Sequence, residues 1–257
     1  MRVCLLASGS KGNAIFVETG DTRLLVDAGL SAREITSRLA QIGVCGEDLD
    51  AILISHEHSD HTRGAGTLAR KYKVPLFISY PTCRESERVL GGKAPRVEFE
   101  SGYTFGLKDI QVDPFPITHD ACDPVGFLIE SSEGRIGIAT DLGCVTALVR
   151  EKLKNSRMLV IESNHDEEML IKGPYPWHLK QRIKSRHGHL SNIDSVTLLD
   201  DLIHPGLEAV FLAHLSEVNN DPAVALGVAE AFLSGQSICS PRLVVGNQYR
   251  VSQVVTA

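Results

Sequence analysis

A chain of 257 residues with 43% apolar side chains is long enough to bury a sizeable core, and it carries a formal net charge of −6. That balance excludes a protein that coats nucleic acid by charge alone, although bound metals or a local basic patch can still reverse the field at a site. No segment approaches the ~20 apolar residues of a bilayer span. The first apolar run breaks at Ser8-Gly9, too early for a signal-peptide core, and six scattered cysteines without a C-x-x-C pair suit reduced thiols in the cytoplasm.

In chain order, Val3–Ala7, Ala14–Thr19 and Arg23–Asp27 read as strands, the last two joined by a hairpin turn at Gly20-Asp21. Ser31 caps a helix running through Gln41, with Glu34 as its capping-box partner. Ala51–Ile54 is a short apolar strand, followed by a helix over Ala65–Lys73, a strand at Pro75–Ser79 and a helix over Pro81–Leu90. Strand patterns return at Arg96–Phe99, Ile110–Pro116, Val125–Glu130 and Arg135–Ala139. A helix over Val145–Lys154 and a strand at Met158–Glu162 precede an irregular Gly/Pro stretch at 172–176. Helix Ile193–Leu202, strand Ala209–Ala213 and helix Pro222–Leu233 complete the chain. Hairpins first and alternating strands and helices later predict an α/β (α+β) fold, a four-layer αββα sandwich of two mixed sheets. With no repeat, low-complexity tract or linker, residues 1–257 read as one domain.

The chemistry is concentrated in His56-Glu57-His58-Ser59-Asp60-His61, placed where an apolar strand opens into a loop. Imidazole and carboxylate are preferred ligands of zinc and related divalent ions. Four such groups at this spacing fit neither one helix face nor a continued strand, so a loop must turn them toward one point. His56 with His58, and Asp60 with His61, make two half-sites, which calls for two metals. A solvated polar loop is the plainer alternative, and the ligand density after a buried strand argues against it. Further ligands must come from elsewhere. His119, Asp141 and His214 each follow the end of an expected apolar strand, a recurring placement for active-site groups. Zinc is the first choice of ion; manganese or iron suits the same donors.

With these residues in place, the chain resembles the metallo-β-lactamase superfamily over nearly its whole length. The resemblance implies that His56, His58 and His119 hold one ion and that Asp60, His61 and His214 hold the other, with Asp141 bridging. Gly188-His189-Leu190-Ser191-Asn192 stands where the nuclease and phosphodiesterase branch carries a second histidine. Ser8-Gly9-Ser10-Lys11-Gly12-Asn13, His119-Asp120-Ala121 and His214-Leu215-Ser216-Glu217-Val218-Asn219-Asn220 look most like the YycJ/WalJ group, regarded as exonucleases. Departures narrow the reading. Class B lactamases place a cysteine where this chain has Asp141. Residues 142–188 are too few for the inserted capping domain of the larger nucleases, and no Gly/Pro-rich tRNA-gripping arm is present.

The function implied is phosphodiester hydrolysis by a metal-bridging hydroxide, as in a nuclease or exonuclease. Asp60 would orient the water or take its proton, and His189 would give a proton to the leaving oxygen. Lys180, Arg182, Lys184 and Arg186 lie just upstream of His189; Lys184 and Arg186 are the substrate-binding candidates, against the commoner fate of a solvated face. Ser191 is a candidate for capping a helix and presenting N–H groups to a phosphate. Asn164 and His165 form another polar pair at a strand end, with His165 a rival to His119. Trp177 stacks on a base or simply packs; His178, His187 and His204 are surface or structural. The alternatives are a glyoxalase II-like thioester hydrolase, a small-molecule cyclic phosphodiesterase and a redox di-iron protein. A nucleic acid or other phosphodiester is the expected partner, no membrane is involved, and a homodimer stays open.

Overall fold

A computed structural model describes residues 1–257. The N-terminal strands β1 (Arg2–Ala7), β2 (Ala14–Thr19) and β3 (Thr22–Val26) form an antiparallel meander. The two-residue turn between β2 and β3 places Gly20 at φ +57°, the left-handed region that glycine enters without strain. Helix α1 (Ala32–Gln41) then leads to β4 (Ala51–Leu53), and a single helical turn, α2 (Ser59–Thr62), precedes α3 (Ala65–Tyr72). Strand β5 (Leu76–Ser79), helix α4 (Tyr80–Leu90) and strand β6 (Arg96–Phe99) finish this half, with β3 to β6 all parallel.

The second half repeats the plan. Strands β7 (Phe105–Leu107), β8 (Ile110–Pro116), β9 (Val125–Ser131) and β10 (Gly134–Ala139) are antiparallel. Helix α5 (Ala147–Leu153) crosses to β11 (Met158–Glu162), which runs parallel to β10. Helices α6 (Glu167–Lys172), α7 (Trp177–Ile183) and α8 (Asn192–Leu202) precede β12 (Ala209–Ala213), and α9 (Pro222–Ser234) precedes β13 (Arg242–Val245). These strands also run parallel, and β14 (Val255–Thr256) returns to pair antiparallel with β1. The result is two seven-stranded mixed sheets flanked by helices, the expected four-layer sandwich.

Strand periodicity explains the layering. Val3 and Leu5 point between the sheets with Val160 and Phe211, whereas Cys4 and Leu6 point to α1, beside Ile35 and Leu39. On β11, Met158 and Val160 face the other sheet while Leu159 and Ile161 meet Leu198 and Leu199 of α8. Strands buried on both faces need continuous apolar runs, which is why β4, β11 and β12 show no polar alternation.

The differences from expectation have local causes. Ser31 does cap α1, but the Glu34 carboxylate turns to Arg38 Nε at 2.7 Å and leaves the capping box incomplete. The segment after His58 is a helical turn instead of an open loop. Helices α6 and α7 flank the Gly/Pro stretch, the first capped by Asp166, whose carboxylate accepts from Met169 N at 2.8 Å. Strands β7, β13 and β14 are short edge pairings; β7 forms a tight hairpin with β8, whereas β13 and β14 depend on neighbours further away in sequence.

Candidate metal centre

The strand ends converge at one rim. Asp27 follows β3, the Ser55–His61 segment follows β4, Asp141 follows β10, Glu162 ends β11, and His214 follows β12. The carboxyl ends of parallel strands form such a rim because their backbone amides are satisfied up to that point and the chain is then free to turn. Asp27, Asp141 and His214 have φ of +61°, +56° and +57°. A non-glycine residue in this region stores about 1–3 kcal/mol, so the surroundings must over-determine it. At Asp27 and His214 they do: Asp27 N donates to Leu53 O at 2.8 Å, His214 N donates to Ser8 Oγ at 2.6 Å, and Asn164 Nδ2 donates to His214 O at 2.8 Å.

His56, His58 and His119 form one donor cluster, with His56 Nε2 3.0 Å from His58 Nδ1 and both rings 5.1 Å from that of His119. Asp60, His61 and His214 form a second. His61 Nε2 lies 3.5 Å from Asp60 Oδ2, and His214 Nε2 lies 3.8 Å from the same oxygen. Asp141 stands between the two clusters, 3.2 Å from His61 Nε2 and 3.7 Å from His119 Nε2. All seven residues expected as ligands therefore meet at one point of the fold.

The donor set suits cations on four grounds. Asp141 Oδ2 and His214 Nε2 are buried without a hydrogen-bond partner, and a buried polar atom left so needs another partner. Burial pushes the carboxyls of Asp60 and Asp141 up, but His61 and His214 outweigh it and hold both well below the usual carboxylate range. Burial and the neighbouring imidazoles hold His56 and His119 below the usual histidine value, which leaves neutral rings with a free lone pair. Against burial, the charge of Asp141 raises His61 and His214, the latter to about 10; the field of these carboxylates calls for positive charge.

Four of the five imidazoles are also held from behind. His56 Nδ1 lies 3.0 Å from Ser55 Oγ, His61 Nδ1 2.8 Å from Asp27 Oδ2, His119 Nδ1 3.3 Å from Gly188 O, and His214 Nδ1 2.8 Å from Glu162 Oε1. This leaves Nε2 as the atom each of the four could offer to a metal ion. Ser55 ties the first two together, because its N–H and hydroxyl both donate to Asp27. Asn13 N donates to Asp60 O at 2.8 Å, so the N-terminal loop braces the motif. Such partners set ring orientation and ligand basicity. Asp27→Asn is expected to weaken divalent-ion affinity by about 10–100-fold with the fold intact, measurable by competition with a chromophoric chelator.

Asp27 and Glu162 escaped sequence reasoning, although both are acidic residues ending apolar strands, the context that singled out Asp141. Glu162 is fully buried and accepts from four groups: His189 Nδ1 and His214 Nδ1 at 2.8 Å, and Leu142 N and Leu190 N at 2.9 Å. Burial opposes its ionisation, but His189 and His214 hold its carboxyl near 2.

His189 lines a cavity of about 400 Å³ together with His58, Asp60, His119, Asp141 and His214. Its ring centroid lies 5.2 Å from that of His119 and 5.1 Å from that of His214. Other expectations need correction. Ser191 is buried and its hydroxyl is used up with Asp194 in the capping box of α8, so it does not border the cavity. Lys184 and Arg186 are exposed outside the lining, Lys184 facing Glu167 at 3.8 Å, while Arg182 and His187 do line it. His165 is buried beside Ser191 and away from the donor clusters; Asn164 borders the cavity. His204 Nε2 binds Ser156 O, a structural contact.

Residues 22–214 match the family model described as "Beta-lactamase superfamily domain". The chain belongs to the metallo-β-lactamase superfamily. It is 42% identical over 220 residues to the exodeoxyribonuclease WalJ of Streptococcus pneumoniae, covering 84% of this chain and 82% of that protein. It is 37% identical over 242 residues to the exodeoxyribonuclease YycJ of Bacillus anthracis, covering 89% and 92%. The metallo-β-lactamase fold protein YhfI from Bacillus subtilis superposes with a TM-score of 0.74 over 99% of each chain at 15% identity, a likeness of fold. No helix of this superfamily member is long and apolar enough to cross a membrane.

Proposed function

We propose that this protein is a metal-dependent exodeoxyribonuclease, working as a single catalytic unit in the cytoplasm. The observation that carries the reading is the identity to the two exodeoxyribonucleases across more than four-fifths of the chain, over a rim that gathers the whole His/Asp donor set. Two divalent cations suit the donors, zinc first and manganese or iron as alternatives, one on His56, His58 and His119 and the other on Asp60, His61 and His214, with Asp141 between. When bound, such ions polarise a phosphoryl oxygen and lower the pKa of water toward ~7.

The remaining work falls to the chain's own residues. The Asp60 carboxylate borders the cavity and is held ionised, so it is placed to accept a proton from the attacking water. Glu162 accepts the Nδ1–H of His189, fixing the tautomer and turning Nε2 to the cavity. With a second proton on Nε2, His189 donates a hydrogen bond to the phosphate and then gives that proton to the leaving oxygen, ending as the neutral Nδ1–H ring with buried Glu162 behind it, as a carboxylate stands behind a catalytic histidine. The contacts that brace the strand ends keep this geometry fixed before substrate arrives.

The test is an end-labelled panel of single- and double-stranded DNA and RNA with and without a chelator. We expect labelled mononucleotides from DNA from the first time point, abolished by chelation and restored by added divalent ion. Faster turnover of S-lactoylglutathione than of any DNA would overturn the reading in favour of a thioesterase.

A further inference from the structure

The cavity has two chemically different walls. The metal side presents only polar groups, whereas all three apolar residues that line it, Tyr175, Leu179 and Ile183, come from the segment 175–183 at α7. A helix ordinarily turns its apolar stripe to the core, yet α7 buries none of its residues. Leu179 and Ile183 lie four apart on one face, with Arg182 beside them, and that face borders the cavity. Lys180 is spent elsewhere, its Nζ donating to Ile171 O at 2.6 Å and Gly173 O at 2.7 Å, which anchors α7 to the end of α6.

Arg182 is held differently. Its Nη2 lies 2.8 Å from Asp120 Oδ2, on the residue after His119, and the two side chains are 62% and 60% exposed. An ion pair this open to water is weak, and a phosphate can replace the carboxylate on the guanidinium fork. A ligand matching both walls carries an anionic group at the metal side and a flat apolar group at the α7 side.

Resting on the exonuclease reading, we propose that the α7 wall is a subsite for one unpaired nucleotide at a strand end. Tyr175, Leu179 and Ile183 take the base, Arg182 takes the adjoining phosphate, and Asp120 keeps the guanidinium in place between turnovers. At about 400 Å³ the cavity is near the small end of the ~300–1,000 Å³ range for small-ligand sites, the scale of one nucleotide. A duplex end must therefore fray before its last nucleotide is removed.

The experiment compares single-stranded oligonucleotides that carry either a normal or an abasic residue at the terminus from which they are degraded, and a blunt duplex closed by G·C pairs. Methyl p-nitrophenyl phosphate, which has no base, reports the hydrolytic centre by itself. In the wild-type protein the abasic terminus should lower kcat/KM about tenfold, the scale of one lost base–aromatic stack. The G·C-closed duplex should be degraded at least about tenfold more slowly than the single strand. Tyr175→Ala should bring the normal-to-abasic ratio close to one, and Tyr175→Phe, which keeps the ring, should preserve it. Equal rates on normal and abasic termini in the wild type, with methyl p-nitrophenyl phosphate still cleaved, overturn the subsite and leave the hydrolase standing. No cleavage of any phosphodiester overturns both.

Discussion

Replacing His189 with alanine should lower DNA turnover by about 10²–10⁴-fold, the range for loss of a general acid, while both cations stay bound. The separation is possible because His189 belongs to neither of the His56/His58/His119 and Asp60/His61/His214 clusters, and although it also gathers with Asp141, Glu162 and His214, its Nδ1 is already committed to Glu162 at 2.8 Å. The loss should fall on kcat more than on KM if the proton it supplies matters chiefly in the transition state. Glu162→Gln gives an independent check. It keeps the shape of the side chain, but it removes the charge behind both His189 and His214, so turnover and affinity for the ions should fall together. Steady-state kinetics with metal analysis on the same samples reads both. Turnover unchanged in His189→Ala would remove that histidine from the mechanism.

Asp141→Ala should have the larger effect on the ions themselves. Asp141 is 3.2 Å from His61 Nε2, 3.5 Å from His214 Nδ1 and 3.7 Å from His119 Nε2, so one carboxylate faces both donor clusters. Its removal takes a buried carboxylate donor and its negative charge away from both clusters. Affinity for divalent ions is expected to fall on the order of 10²-fold or more, and DNA cleavage with it. Asp141→Asn separates charge from shape: it retains the volume and the left-handed turn, a conformation asparagine tolerates. It should still lose ions. Two ions retained at wild-type affinity in both variants would refute the bridging position.

Much of this site was readable because its signals are local. The stretch 56–61 packs four ligand types into six positions, and His119, Asp141 and His214 each stand just beyond an apolar strand. Asp27 and Glu162 share that context but act through an imidazole, and nothing in their spacing tells an orienting carboxylate from a rim residue. The basic run misled for a geometric reason. Helix α7 ends at Ile183, so Lys184 and Arg186 follow a different course from Arg182, and only Arg182 reaches the cavity. Tyr175 carries no signal at all until α7 is folded over the rim. The sandwich itself was legible in the long apolar strands, whereas edge strands as short as β14 exist only through pairing with a partner at the opposite end of the chain.

The central claim is tested most directly by titrating metal-free protein with divalent ion while following release of end-labelled nucleotide from single-stranded DNA. The account predicts that activity is absent at first and rises to a plateau at two ions per chain. Release of nucleotide at the full rate by the metal-free protein would contradict it.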